Sequence, residues 1–320
     1  MIKKRLLIIL LLFILTLTIN AQMISSPTYA ERANKFLSSF IPDSLAIFHL
    51  PFKDSLRTHW ERLPGQRMGL KLSHMTDEQK IAMHELLRSC LSTQGYLSAT
   101  AVMFNEDIQQ KVEPIVGRNE YWVEVFGNPS PDSLWSWKLE GHHLTLNFTF
   151  RGNKMISNTP FLMGSNPSNS ITDSFRAGLV ILYKEEELGR ELVNSLSPEQ
   201  LKKGYNTRKK TDIVYSEQDK NNIHVPSEGI YYSELNKDQQ LLLKQLETEY
   251  FNNFNPGECP VPDAFFNKMT RFFYLENREK GKEHYYRIEN GNQIIEYENY
   301  NNHIHVFWRT NNDFGKAIIN

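Results

Sequence analysis

Residues 271–309 read RFFYLENREKGKEHYYRIENGNQIIEYENYNNHIHVFWR. Aromatic and β-branched residues recur with a period of two in four runs, Arg271–Leu275, His284–Ile288, Ile294–Glu298 and His303–Arg309. That period is the mark of half-buried strands, and the ENGN dipeptide pair between the second and third run is a turn signal suited to a tight hairpin. Three earlier runs share the pattern: Tyr121–Phe126, Leu134–Glu140 and His143–Arg151, with FGNPSPDS and RGNK as their turns. Successive strands joined by short turns predict antiparallel pairing.

Helices are announced by a shared grammar. MTDEQ at Thr76–Gln79, LSPEQ at Ser197–Gln200 and LNKDQ at Asn236–Gln239 each offer a side-chain oxygen at the N-cap and a Gln three residues on that reaches back to a second orphan N–H. Pro198 suits the first helical position. Ile81, Met83, Leu86, Leu87 and Leu91 follow Thr76 near helical spacing, as Leu241, Leu242, Leu243, Leu246 and Tyr250 follow Asn236. Capping of this kind is common and is not by itself a sign of internal repetition. Strands and helices come in blocks, so the fold class expected is α+β, antiparallel sheet or sheets with packed helices in a single large domain over residues 22–320. Lys202–Glu228, rich in charge, is expected to be a flexible excursion.

At the start, Lys3, Lys4 and Arg5 precede an apolar run from Leu6 to Leu15 and a small residue at Ala21. This order predicts a cleavable signal peptide over residues 1–21, too short in its apolar part to span a bilayer, and hence a periplasmic or secreted protein without a stable membrane anchor. The chain carries a net charge of −1, and removing the three leader cations leaves −4, which gives nucleic acid no basic footprint to bind. Cys90 and Cys259 are both compatible with a bridge in an oxidising compartment and with two separate thiols.

Chemistry concentrates in two short strands. In HIHVFWR, alternation sends His303, His305, Phe307 and Arg309 to one face and the apolar Ile304, Val306 and Trp308 to the other. In GHHLTLNFTF, His143 shares a face with Thr145, Asn147 and Thr149, and His142 falls with the apolar set. Neutral imidazole is a common ligand for zinc, iron, copper or nickel, so neighbouring strands would make His143, His303 and His305, with His142 beside them, a candidate site for a divalent transition metal such as zinc or iron. Arg309 would then hold an anionic substrate or developing oxyanion, Asp313 would orient Arg309 or a histidine, and Asn147 is a candidate substrate contact. Strand histidines also serve as plain hydrogen-bonding groups, and an H-x-H pattern alone is weakly specific. G-x-S-x-G, Walker and G-x-G-x-x-G patterns are absent from the sequence, as is an H-E-x-x-H helix.

Taken together, RMGLKLSHMTDEQ, HELLRSCLSTQGY, GHHLTLNFT, TPFLMGSNP and NHIHVFWRTNNDFG resemble a family known as domain of unknown function 3500, over about Tyr29–Lys316. The resemblance implies one domain family for nearly the whole mature chain and marks the same two histidine segments, but brings no assigned activity. Thr310 stands where the family usually carries an acidic residue. The function expected is therefore a metal-dependent exported enzyme, hydrolase-like, acting on a small anionic substrate. The rival is a non-catalytic extracytoplasmic protein that binds a small ligand without metal.

Overall fold

The computed structural model describes residues 26–319 apart from 62, 112, 171–175, 210–227 and 258–267. Residues 1–21, where a signal peptide is expected, Cys259, on which a bridge to Cys90 would depend, and most of the charged excursion lie outside the described residues. The helices are α1 (Tyr29–Leu37), α2 (Pro42–Phe48), α3 (Asp77–Cys90), α4 (Thr93–Gln109), α5 (Tyr183–Ser195), α6 (Pro198–Gly204), α7 (Lys237–Phe251) and α8 (Lys316–Ile319). Strands of the first part are β1 (His49–Leu50), β2 (Leu70–Lys71), β3 (Tyr121–Phe126), β4 (Leu134–Gly141), β5 (Leu144–Arg151), β6 (Lys154–Ser157), β7 (Phe161–Ser165), β8 (Asn169–Ser170) and β9 (Leu179–Val180). The rest are β10 (Tyr205–Asn206), β11 (Ile230–Tyr231), β12 (Arg271–Glu276), β13 (His284–Glu289), β14 (Gln293–Tyr300) and β15 (His303–Thr310). No helix among the described residues is long and apolar enough to cross a membrane.

The fold is α+β around one mixed sheet of thirteen strands, whose main path is β1-β3-β4-β5-β7-β15-β14-β13-β12-β10. All pairings along it are antiparallel except β1 with β3 and β10 with β12, at the two edges. All three expected capping boxes form, at Thr76, Ser197 and Asn236. Met83, Leu86 and Leu87 of α3 and Leu243, Leu246 and Tyr250 of α7 join the main core, while Ile81 and Leu241 point to solvent. The stretch around Gly164 forms strand β7 at the middle of the sheet.

The sheet is a duplicated unit, which the shared capping grammar does mark after all. One constant shift in residue number carries the β3–β4–β5 meander onto β12–β13–β14 with every register kept: Glu124↔Lys138 becomes Phe273↔Arg287, and Glu140↔Thr145 becomes Glu289↔Ile294. Leu70, paired with Val123, corresponds to Ile230, paired with Phe272. His49, parallel to Val125, corresponds to Tyr205, parallel to Tyr274. Even the second use of the capping glutamines repeats, since Gln79 donates to the Ser39 carbonyl at 2.9 Å and Gln239 to that of Ser195 at 2.8 Å. Phe161 pairs with Leu146 as its counterpart Trp308 pairs with Ile295, and Phe161 and Trp308 pair with each other. A local two-fold axis therefore passes through that pair, and the two halves meet edge to edge at β7 and β15.

One face of the sheet is apolar and packs on the helices. The other is polar yet buried: Lys138 lies between Glu124 at 2.7 Å and Glu140 at 3.1 Å and also donates to the Leu56 and His59 carbonyls. Arg287 and Glu289 take the places of Lys138 and Glu140 in the second half, and Glu289 pairs with Arg271. Burial of so many ions requires pairing, which the register supplies by placing opposite charges on adjacent strands.

Candidate metal centre

The cluster forms where the β4–β5 hairpin turn meets the first residues of β15, with β7 between them. His142 and His143 occupy the turn itself rather than the strand, immediately before Leu144. His303 and His305 share one face of β15, and Gly164 of β7 pairs with His305 while its N–H donates to the His143 carbonyl at 2.8 Å. A Cβ at Gly164 would sit 2.9 Å from the His305 ring and 3.0 Å from that of His143, and 2.6 Å from the Ile304 carbonyl. Absence of a side chain there is what lets imidazoles from two strands close over the third.

The remaining component comes from α4. Its N-cap Ser92 bonds the end of α7, and Gly95 approaches the Asn253 backbone so closely that only glycine fits. The helix then buries Ala99, Val102, Met103, Asn105 and Glu106 along one face. Asn105 donates to the Ser165 hydroxyl at 2.7 Å and the Pro167 carbonyl at 2.8 Å, tying the helix to the end of β7. Glu106 spans the two turn histidines, one carboxylate oxygen on His143 Nδ1 and the other 3.3 Å from His142 Nδ1. Sequence reasoning missed Glu106. The available signal was a carboxylate at helical spacing from Ala99, Val102 and Met103, on what is otherwise an apolar stripe.

With both Nδ1–H groups held by one carboxylate, His142 and His143 keep Nε2 as a lone pair. His143 Nε2 lies 2.8 Å from His303 Nε2, and the His303 ring stands nearly perpendicular to it at 85°. His142, His143 and His303 could hold a metal ion: each offers one nitrogen, and the three lie within 4.8 Å of one another. His305 is close, its ring centre 4.5 Å from that of His303 and 5.3 Å from that of His143, and its Nδ1 lies 2.8 Å from Glu298. Burial pulls the pKa of His143 down against the opposing effect of Glu106. Burial, with His143 and His142 alongside, lowers that of His303 to about 3. Burial by itself would raise Glu106, but the hydrogen bonds and charges of the two histidines outweigh it and leave the carboxyl at about 2. The result is an ionised carboxylate behind His143 and His303 held neutral, the protonation state a metal requires of them.

Arg309, Asp313 and Asn147 lie elsewhere. Arg309 sits four steps along the strand from His305, roughly 13 Å, and Phe307 stands between them, packed with Trp60 and Leu162. Arg309 is buried and ion-paired with Asp313, which also accepts from the Thr310 N–H at 2.9 Å. Asn147 donates to the Pro160 carbonyl at 2.8 Å on the same far row of the sheet. These residues brace the C-terminal end of β15, far from its hairpin turn, rather than face the imidazoles. Thr310 shares a hydrogen bond with the Thr159 hydroxyl 2.8 Å away, likewise outside the cluster.

A model of one protein family, described as a protein of unknown function (DUF3500), matches residues 23–316. The chain belongs to the DUF3500 family. No curated protein and no solved structure matches this DUF3500 chain.

Proposed function

We propose that this DUF3500 chain is a metal-dependent enzyme of hydrolytic type, with His142, His143 and His303 holding a divalent transition ion, zinc or iron, and a small anionic molecule as substrate. The observation that carries the reading is Glu106: one buried carboxylate holds the Nδ1 atoms of two histidines at once, and the Nε2 of one of them, His143, meets His303. Such carboxylate-backed imidazoles are the recurring support of metal sites. Three nitrogen ligands leave a position for water, and a bound ion of this kind brings the ionisation of water toward neutral pH. A divalent ion against the single charge of Glu106 leaves the centre cationic, which favours an anionic substrate. His305, steered by Glu298, is the nearest group able to take up a proton. Arg309 has no part here, because its charge is committed to Asp313. The leader at residues 1–21 adds a place of work outside the cytoplasm.

Elemental analysis of the purified mature protein, expressed with metal supplied, tests the reading. Near-stoichiometric zinc or iron is expected, lost in His143→Ala. Far less than one ion per chain, or retention in that variant, overturns it.

A further inference from the structure

The two halves differ most in what fills their outer cores. In the first half Trp135 stacks on Phe150 at 4.2 Å, Tyr29 packs on the same ring at 4.9 Å, and Ala30 is buried against them. Phe148 completes the layer. The duplicated registers put His284 in the place of Trp135, Tyr297 in that of Phe148 and Asn299 in that of Phe150. The matched glutamine bonds to Ser39 and Ser195 align α1 with α5 and put Glu186 in the place of Ala30. Every replacement is polar, and together they leave space. A cavity of about 570 Å³ opens at this end, bounded by Ser168, Asn169, Tyr183, Arg190, Lys280 and Asn299.

Its charges are balanced. Glu186 is 2.7 Å from Arg190 and Glu187 2.8 Å from Lys280, so neither sign is left over to attract an ion. The second Glu186 oxygen receives only long bonds, 3.4 Å from the Tyr297 hydroxyl and 3.5 Å from the Asn299 amide. Behind the floor, His284 gives Nδ1 to the Lys282 carbonyl, while its buried Nε2 has no hydrogen-bond partner among the described residues. Tyr183, half exposed, forms a wall beside the apolar Leu179 and Val180.

We propose that this cavity is a binding site for a neutral polyhydroxylated ring, a pyranose sugar. Planar donors and acceptors that are already charge-neutralised suit hydroxyls, which both donate and accept, and an aromatic wall suits the apolar face of the ring. The volume is that of a small-molecule site. The proposal is independent of the metal centre, which lies on the opposite face of β15.

Saturation-transfer NMR on the mature chain, with glucose, galactose, mannose, N-acetylglucosamine, maltose and cellobiose as probes and citrate and spermidine as charged controls, tests it. Millimolar or tighter saturable binding of at least one neutral sugar is expected, weakened at least tenfold by Asn299→Phe, the residue the first half carries there. Tyr183→Ala, at an exposed position that leaves the core intact, should weaken it as well. Failure of all six sugars, saturation by a charged control instead, or undiminished binding in Tyr183→Ala overturns the proposal.

Discussion

The two halves of the sheet share their pairing registers and their capping glutamines, yet one has an apolar outer core with a polar hairpin turn and the other a more polar outer core with a plain turn. His142 and His143 of the first turn face Gly291 and Asn292 at the corresponding places of the second. Backbone features at these turns persist regardless: the Gly164 N–H donates to the His143 carbonyl and its counterpart Asn311 donates to that of Asn292, both at 2.8 Å. Hydrogen-bond registers are dictated by the sheet, and side chains at its ends are free to diverge. The imidazole cluster is thus not a property of the fold. It depends on an added component, Glu106 on α4, and no helix among the described residues takes the corresponding place after α7.

The harshest test of that contrast exchanges turn residues. His143→Asn, which installs the residue of the second half, should abolish zinc binding in a competition titration, whereas the reverse change Asn292→His should create none. Glu106→Gln keeps the shape but can hold only one Nδ1–H as an acceptor, and a loss of metal affinity of about 10- to 100-fold is expected. Zinc uptake by Asn292→His, or wild-type affinity in Glu106→Gln, would break the comparison at its central point.

Gly164 and Asn311 offer a second contrast. A methyl group at Gly164 meets the Ile304 carbonyl and both imidazoles, and overpacking of this sort costs about 1–3 kcal/mol. Gly164→Ala should lower the urea midpoint accordingly and weaken metal binding. Asn311 already carries a side chain, exposed near Asn292, so Asn311→Ala should stay within about 0.5 kcal/mol of the parent. Equal effects at the two positions would refute the role given to the missing Cβ.

Much of this was readable from residue pattern. Alternation located β3, β4, β5 and β12 to β15 because each presents one apolar face to the same core, and the S/T/N-x-x-Q boxes located α3, α6 and α7 because their caps are local. Convergence of the GHH and HIH segments was expected and occurs, although the strand rule placed His143 on a face when it sits in a turn. What escaped was set by distance along the chain. Glu106 precedes His142 by a loop and two strands, and nothing local announces that α4 crosses to the hairpin end. Arg309 looked available because it shares a face with the histidines; a face is long, and the aromatic pair Trp60 and Phe307 partitions it. The repeat escaped because its residues diverged while its registers stayed.

The outer cores supply a smaller effect. Glu247 of α7 takes the place of Leu87 of α3, by the correspondence that matches Gln239 with Gln79. Both are fully buried, but neither carboxyl oxygen of Glu247 has a hydrogen-bond partner among the described residues, and burial pushes its pKa well up. An unpartnered polar group in a core costs about 1–3 kcal/mol, so Glu247→Leu should raise stability by that order in urea denaturation. Destabilisation instead would show that the carboxyl has a structural duty the first half does without.

Glu185 gives the subtlest distinction, since its counterpart in the first half is a phenol, Tyr29, rather than a carboxyl. Burial raises its pKa from 4.5 to about 7, with the charge of Glu249 adding to the shift and its own backbone N–H and Lys184 opposing it. A raised folded pKa means that the native state holds its proton more tightly than the unfolded chain does. This contribution to stability is complete below pH 4.5 and is lost as pH climbs through about 7, the opposite sense to His303, whose pKa of about 3 costs stability as pH falls below 6.5. Between pH 5 and 7, in a Glu247→Leu background, urea midpoints of the parent should fall relative to those of Glu185→Gln as pH rises, because the opposing titration of the buried histidines is common to both and cancels in the difference. Tyr286 donates to the backbone carbonyl of Glu185 rather than to its side chain, so the substitution leaves this link to the sheet in place. A difference between the two that stays constant across this range would remove the pH sensitivity of Glu185 from the list of ways in which the second half departs from the first.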